Sequence, residues 1–260
     1  MTDGIVSSHD RDTTTLRHRS PDWTRRPTNQ DDLEIVMWME LIDIFRGGDA
    51  LEAAGKDLFL MLRTVRDMAA IVRPHVFTNS ISLEERNRVY EMDIQVNKLQ
   101  RQVRKRVVTH LTLNPTRVPY CLLLMTLVKD AERVGDYIKN VVEVSDLGGG
   151  PVPEGTLRDE LELLIGTAML LMGEAEDIIR TQDRERATEL LQRGRAAGKR
   201  CDRLLVKLAD TDYTARETTS MVLLTRFYKR LGAHLVNILS SVVMPLHKVD
   251  FYDESELKKT

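Results

Sequence analysis

Apolar residues recur at intervals of three and four along most of the chain. Leu51, Ala54, Leu58, Met61, Val65, Met68 and Val72 form the first such stripe, a spacing that lines up one face of a helix. Pro74 brings it to a close, since proline cannot continue a helix interior. Ser82 with Glu85 three residues on reads as a capping box. It opens a second helix whose stripe is Val89, Met92, Val96, Leu99 and Val103, running to about Leu111. After the Asn114-Pro115 turn, Leu124, Leu127, Ala131, Val134, Ile138 and Val141 mark a third helix. Gly148-Gly-Gly-Pro-Val-Pro153 then interrupts the helical pattern.

The rhythm resumes in the same order. Leu161, Leu164, Ala168, Leu171, Ala175 and Ile178 repeat the first stripe at an offset of 110. Gly194, Ala197, Cys201, Leu204 and Leu208 repeat the second at 105. A further capping box, Thr214 with Glu217, precedes Met221, Leu224, Tyr228, Leu231, Leu235, Ile238 and Val242, which repeat the third at 97. Repeated order with altered loop lengths predicts an all-α fold of two tandem repeated antiparallel three-helix bundles, at 49–147 and 157–253. Residues 1–30 are too polar to order themselves and read as a tail, as do 254–260. Between them and the first bundle, Leu33, Val36, Met37, Leu41 and Ile44 predict an accessory amphipathic helix at 31–46, either packed on its own domain or docking on a partner.

Composition narrows the function classes. Among 260 residues, 38 basic side chains face 40 acidic ones for a net charge of −2. No global field therefore marks a nucleic-acid or lipid binder, and no nucleic-acid partner is expected. Cys121 and Cys201 sit inside apolar stripes, which suits buried thiols in a reducing compartment rather than a disulfide framework. With no leader-like apolar run and no stretch long enough to span a bilayer, the expectation is a cytoplasmic protein, at most peripheral to the inner face of the membrane.

Chemistry concentrates in one stretch and its copy. Residues 129–140, from Lys129 to Asn140, recur as Phe227 to Asn237, but Glu132 becomes Lys229 and Asp136 becomes Ala233. Four residues apart on a helix, Glu132 and Asp136 project side by side; Asp93 and Asn97 have the same spacing on the preceding helix. If the two rods meet in register, four oxygen-bearing side chains converge, a donor set for Mg, Mn or Fe, with Zn also compatible. Asp130 lies on a different face and is expected to pair with Arg133. Gly135 and Gly232, mid-helix in both copies, imply close helix approach or room beside a bound group. His110 and His234 have no ligand-spaced companions and read as structural or surface residues. Arg101, Arg104, Lys105 and Arg106 form a basic patch, solvated or facing a partner. No phosphate loop, nucleophile elbow or triad order is present, and Glu-x-x-His, the mark of di-iron bundles, is missing, which weighs against a carboxylate-bridged metalloenzyme.

These residues resemble the PhoU family. Its third-helix motif, Glu-Arg-Ile-Gly-Asp followed by an Asn-Ile pair, corresponds to Glu132-Arg133-Val134-Gly135-Asp136 with Asn140-Val141. Its second-helix motif, an acid followed at the fourth position by Asp or Asn, corresponds to Asp93 and Asn97. The resemblance implies a non-enzymatic cytoplasmic adapter that controls phosphate uptake and phosphate-responsive signalling. Its implied partners are a membrane transporter, of the phosphate ABC type or another, a membrane histidine kinase, or both; a homodimer is also compatible with the chain. It further implies a metal at Asp93, Asn97, Glu132 and Asp136. In the second half Gly198, Lys229 and Ala233 replace three of the four ligand positions and only Asp202 remains, so the metal is expected in the first repeat alone. Val118-Pro119-Tyr120 also departs from the family's Asp-Leu-Arg before the third helix.

Overall fold

The computed structural model describes residues 50–250. The expected tails at 1–30 and 254–260 and the accessory helix at 31–46 lie outside the described residues. Among the described residues the chain forms six α-helices: α1 (Ala50–Val72), α2 (Leu83–Leu113), α3 (Val118–Val142), α4 (Thr156–Thr181), α5 (Arg184–Leu208) and α6 (Ala215–Ser240). Short 3₁₀ turns follow α1, at Arg73–His75, and α6, at Leu246–Lys248. None of the helices is long and apolar enough to cross a membrane.

Local chemistry sets the helix boundaries. Ser82 accepts from the Glu85 amide while the Glu85 carboxylate accepts from the Ser82 amide, and Thr214 with Glu217 does the same for α6. Each pair satisfies amides that a helix start otherwise leaves unbonded. Asp183 caps α5 by accepting from the Arg186 amide. α2 extends to Leu113, two residues beyond the expected end, and Pro119 falls in the first turn of α3, where its missing N–H costs nothing.

α1, α2 and α3 pack on one another, as do α4, α5 and α6. The apolar stripes become the core: Leu51, Met61, Met68, Val89, Val96, Val103, Leu124 and Leu127 in the first set, with Leu161, Leu171, Leu190, Leu204, Leu224 and Leu235 in the second, are all nearly inaccessible to water. The two sets meet chiefly through α3 against α6 and secondarily through α1 against α4. Ion pairs of Arg73 with Glu162 and Arg63 with Glu176 lie along that second seam. Each of these is a pair of equivalent helices, so the halves are related by an approximate two-fold axis.

The Gly-Pro segment between the halves is held by both of them. The Gly150 amide donates to the Arg216 carbonyl at 3.0 Å, the Val152 amide to the Phe77 carbonyl at 2.8 Å, and the Gly150 carbonyl accepts from Ser220 at 2.5 Å and Asn79 at 2.6 Å. Cys121 and Cys201 are buried, neither in a disulfide. Burial pushes the Cys201 thiol up to about 11, which leaves little of the thiolate that would react.

Candidate metal centre

α2 and α3 run antiparallel and are held level by a buried contact in which Gln100 donates to the Val128 carbonyl at 3.4 Å. Beside it, Asp93 and Asn97 on α2 face Glu132 and Asp136 on α3, and the expected four residues share one seam. Gly135 leaves room beside them: a methyl group there would make only ordinary contacts, 3.4 Å from Val65, 3.8 Å from Val96 and 3.9 Å from Asp93 Oδ1, so a side chain larger than alanine would fill the space beside that carboxylate.

Cationic side chains already engage the cluster. Lys139 Nζ lies 3.2 Å from Asp93 Oδ2 and 3.7 Å from Asp136 Oδ1. Arg133 donates to Asp136 at 3.0 Å and stands 3.7 Å from Glu132. Asn97 donates to Asp93 Oδ2 at 3.4 Å. Asp93 Oδ1, by contrast, is buried with no hydrogen-bond partner among the described residues, an expensive arrangement for a carboxylate oxygen. Burial, then Asp136 and Asp93 with their like charge, push the Glu132 carboxyl above its ordinary range against the pull of Arg133 and Arg104. Burial also works against the charge on Lys139, but Asp93 and Asp136 more than offset it and hold its ammonium above the usual lysine range.

The donor chemistry therefore fits a hard cation: three carboxylates, one amide oxygen, one buried oxygen without a partner and a glycine leaving room. The arrangement is nonetheless open, because among the described residues no three His, Cys, Asp or Glu side chains are gathered round a common point. Lys139 is the residue that sequence reasoning missed. It sits three residues beyond Asp136 on α3, and that spacing on one helix face was the available signal.

In the second half the equivalent seam is closed differently. Lys229, standing where Glu132 does, is 2.5 Å from Asp202, the one acid left at the equivalent positions. An ammonium on the protein itself has taken the place a cation would fill. Around it Gly198 and Gly232 leave open space where the first half has Asp93 and packed side chains.

The expected Asp130–Arg133 pair does not form. Asp130 lies on the flank of α3 that faces α6, is 0 % exposed, and its Oδ1 is 2.7 Å from His234 Nδ1. Arg133 points the other way, to Asp136 and Glu132. His234 is accordingly structural, stacked 5.7 Å from Tyr137, and so is buried His110, whose Nε2 is 3.2 Å from the Thr116 carbonyl. Arg106, counted in the basic patch, pairs instead with Asp57 of α1; Arg101, Arg104 and Lys105 remain exposed.

Residues 58–145, which contain the whole seam between α2 and α3, match the PhoU domain. A phosphate-specific transport system accessory protein PhoU homolog of Deinococcus radiodurans is 29% identical over 87 residues, which is 34% of this chain and 40% of that protein. The match thus spans well under half of the relative's length. The crystal structure of the phosphate transport system regulatory protein PhoU from Streptococcus pneumoniae has the same fold, with a TM-score of 0.64 at 13% identity over 80% of this chain and 95% of that one. The domain match lies in the first half and the likeness of fold, over 80% of the chain, runs into the second, where the positions equivalent to the candidate ligands carry other residues. In helix order, in the paired motifs of α2 and α3 and in these likenesses the chain is similar to PhoU proteins, and its residues 58–145 match the PhoU domain.

Proposed function

We propose that this protein regulates phosphate uptake as a binding protein rather than an enzyme, serving as an adapter between a membrane phosphate transporter and the sensor kinase that reports phosphate supply. The observation that carries the reading is the pairing of Asp93 and Asn97 with Glu132 and Asp136 on one seam, inside the stretch that matches the PhoU domain. The similarity to an accessory protein of a phosphate-specific transport system supplies the process. The working site is a cytoplasmic one, at the inner face of the membrane.

Asp93, Asn97, Glu132 and Asp136 hold a single divalent or trivalent cation (Fe, Mn, Mg or Zn). Bound there, the cation neutralises the carboxylates that Lys139 and Arg133 now compensate and ties α2 to α3. It is a structural or signalling ion; the seam contributes no nucleophile and no acid–base pair directed at a substrate. Lys139 competes for the same oxygens, so occupancy responds to the cation supply instead of being permanent. The second half, with its built-in Lys229–Asp202 pair, carries no ion and offers its surface to a protein.

A deletion strain tests the reading. Loss of the gene should release phosphate uptake and phosphate-starvation genes from repression in phosphate-rich medium. The wild-type chain should restore repression, whereas a Glu132→Gln/Asp136→Asn chain that folds normally but purifies with less metal should not. Unchanged uptake and unchanged gene expression in the deletion strain would overturn the proposal. A second reading, accessory subunit of a different ion transporter, is favoured by the charge-swapped second half; affinity purification from membranes separates the two by the transporter recovered.

A further inference from the structure

Three cations share one flank of α5. Arg200, Arg203 and Lys207 follow one another at intervals of three and four residues, a spacing at which like charges on a helix repel. That flank faces α4 across an open groove of about 250 Å³, lined by the three cations on one side and by Glu160, Leu163 and Leu164 on the other. Glu160 pairs with Lys207. Arg200 and Arg203 pair with no acid among the described residues. Acids close by in sequence are engaged elsewhere: Asp202 is held 2.5 Å from Lys229 of α6, and Glu162 by Arg73 of α1. Three cations set against one carboxylate leave the groove with two positive charges in excess.

The duplication provides an internal comparison. At the repeat offsets of 105 and 110, Arg200, Arg203 and Lys207 correspond to Gln95, Lys98 and Gln102, and Glu160, Leu163 and Leu164 to Ala50, Ala53 and Ala54. The first half therefore packs the same pair of helices with one cation in place of three and with neither the acid nor the leucines. The fold does not need this set of residues, and its excess charge is particular to the second half.

We propose that the α4–α5 groove binds a phosphate dianion, free or as the head of a monoester. Guanidinium groups present a planar fork of donors that matches phosphate oxygens, and an ammonium adds a point charge. Arg200 and Arg203, one turn apart, grip the oxyanion from two sides with Lys207 beside them, and the two excess charges match its own. The opposite wall is apolar: Leu164 is buried and Leu163 is 63% exposed, a surface on which the organic part of a monoester would rest. The site lies in the other half of the molecule from the carboxylate seam of α2 and α3 and stands whether or not that seam holds a metal.

Calorimetric titration tests this on the full-length protein, stripped of metal and dialysed free of chelator so that no ion at the α2–α3 seam takes up the anion. The probes are inorganic phosphate and phenyl phosphate. At least one should bind saturably, one per chain. Arg200→Gln/Arg203→Gln, at exposed positions outside the core, should raise Kd at least about tenfold. Tighter binding of phenyl phosphate that drops to the level of inorganic phosphate in Leu163→Ser assigns the ligand to a monoester seated on the leucines; equal affinities assign it to free phosphate. The proposal is overturned if neither probe saturates, if the double substitution leaves the affinity unchanged, or if acetate, a monoanion, binds equally well.

Discussion

Burial first, and then the negative charge of Asp136 and Asp93, push the Glu132 carboxyl above the ordinary glutamate value of 4.5 against the positive charge of Arg133. A carboxyl with a raised value binds its proton more tightly in the folded than in the unfolded chain. The stability it contributes is therefore present below the unfolded value and lost as pH rises through the folded one. Glu132→Gln, neutral throughout, should accordingly make the metal-stripped protein more resistant to urea at neutral pH. The advantage should shrink to nothing in the acid range below 4.5, where wild-type Glu132 is itself protonated. Urea titrations of both proteins in chelator across that range check this. A variant weaker than wild type at neutral pH would mean that the ion pair with Arg133 outweighs the burial and crowding of the carboxylates.

Two glycines of the second half differ sharply at the level of helix packing. In α5 a methyl group on Gly194 would lie 2.4 Å from Val236 Cγ2 and 3.0 Å from Leu171 Cδ2, whereas around Gly232 in α6 nothing stands within 4 Å. Val236 is β-branched and anchored on α6, so it cannot swing clear. Overpacking costs about 1–3 kcal/mol, and the gain in helix propensity returns about 1. Gly194→Ala should then lower stability by up to about 2 kcal/mol, while Gly232→Ala, free of contacts, should raise it by up to about 1 kcal/mol. Chemical denaturation of the two variants measures both signs. What could be read from sequence at this scale was what repeats along one chain segment: stripes of period 3.6, capping boxes, the break at Gly148, and the i, i+4 pairs of α2 and α3. What could not be read depends on which flank of a helix meets which neighbour. Asp130 finds His234 across 104 positions, a distance over which spacing in sequence carries no information.

Across the whole molecule the duplication makes one interface of two pseudo-equivalent contacts. At the repeat offset of 97, Asp130 corresponds to Phe227 and Tyr137 to His234. The Asp130–His234 pair is thus related by the approximate two-fold axis to the Tyr137–Phe227 ring contact, whose centroids are 6.3 Å apart. One contact is aromatic and the other an acid–imidazole pair, in which Asp130 is fully buried and His234 keeps 19% of its side chain exposed. Asp250, at the end of the described chain, crowds the same carboxylate. Burial and then the charge of Asp130 push the Asp250 carboxyl up, and Lys129, 3.8 Å from it, only partly offsets them. His234 therefore holds Asp130 in place by donating Nδ1–H to an otherwise isolated acid. Removing one member of such a pair costs far more than removing both, because the survivor is left buried and unsatisfied. His234→Ala should lose about 3–5 kcal/mol, and the paired change Asp130→Leu/His234→Leu should recover most of that loss. A double-mutant cycle in urea measures the coupling, and the shape of the transition shows where it acts. If this contact fastens the halves to each other, His234→Ala should unfold in two steps, with Tyr137 and the α3–α6 seam reporting the first. A single step with an unchanged midpoint would show that the halves are joined by their apolar contacts alone, and that the buried pair is tolerated there without contributing to the union.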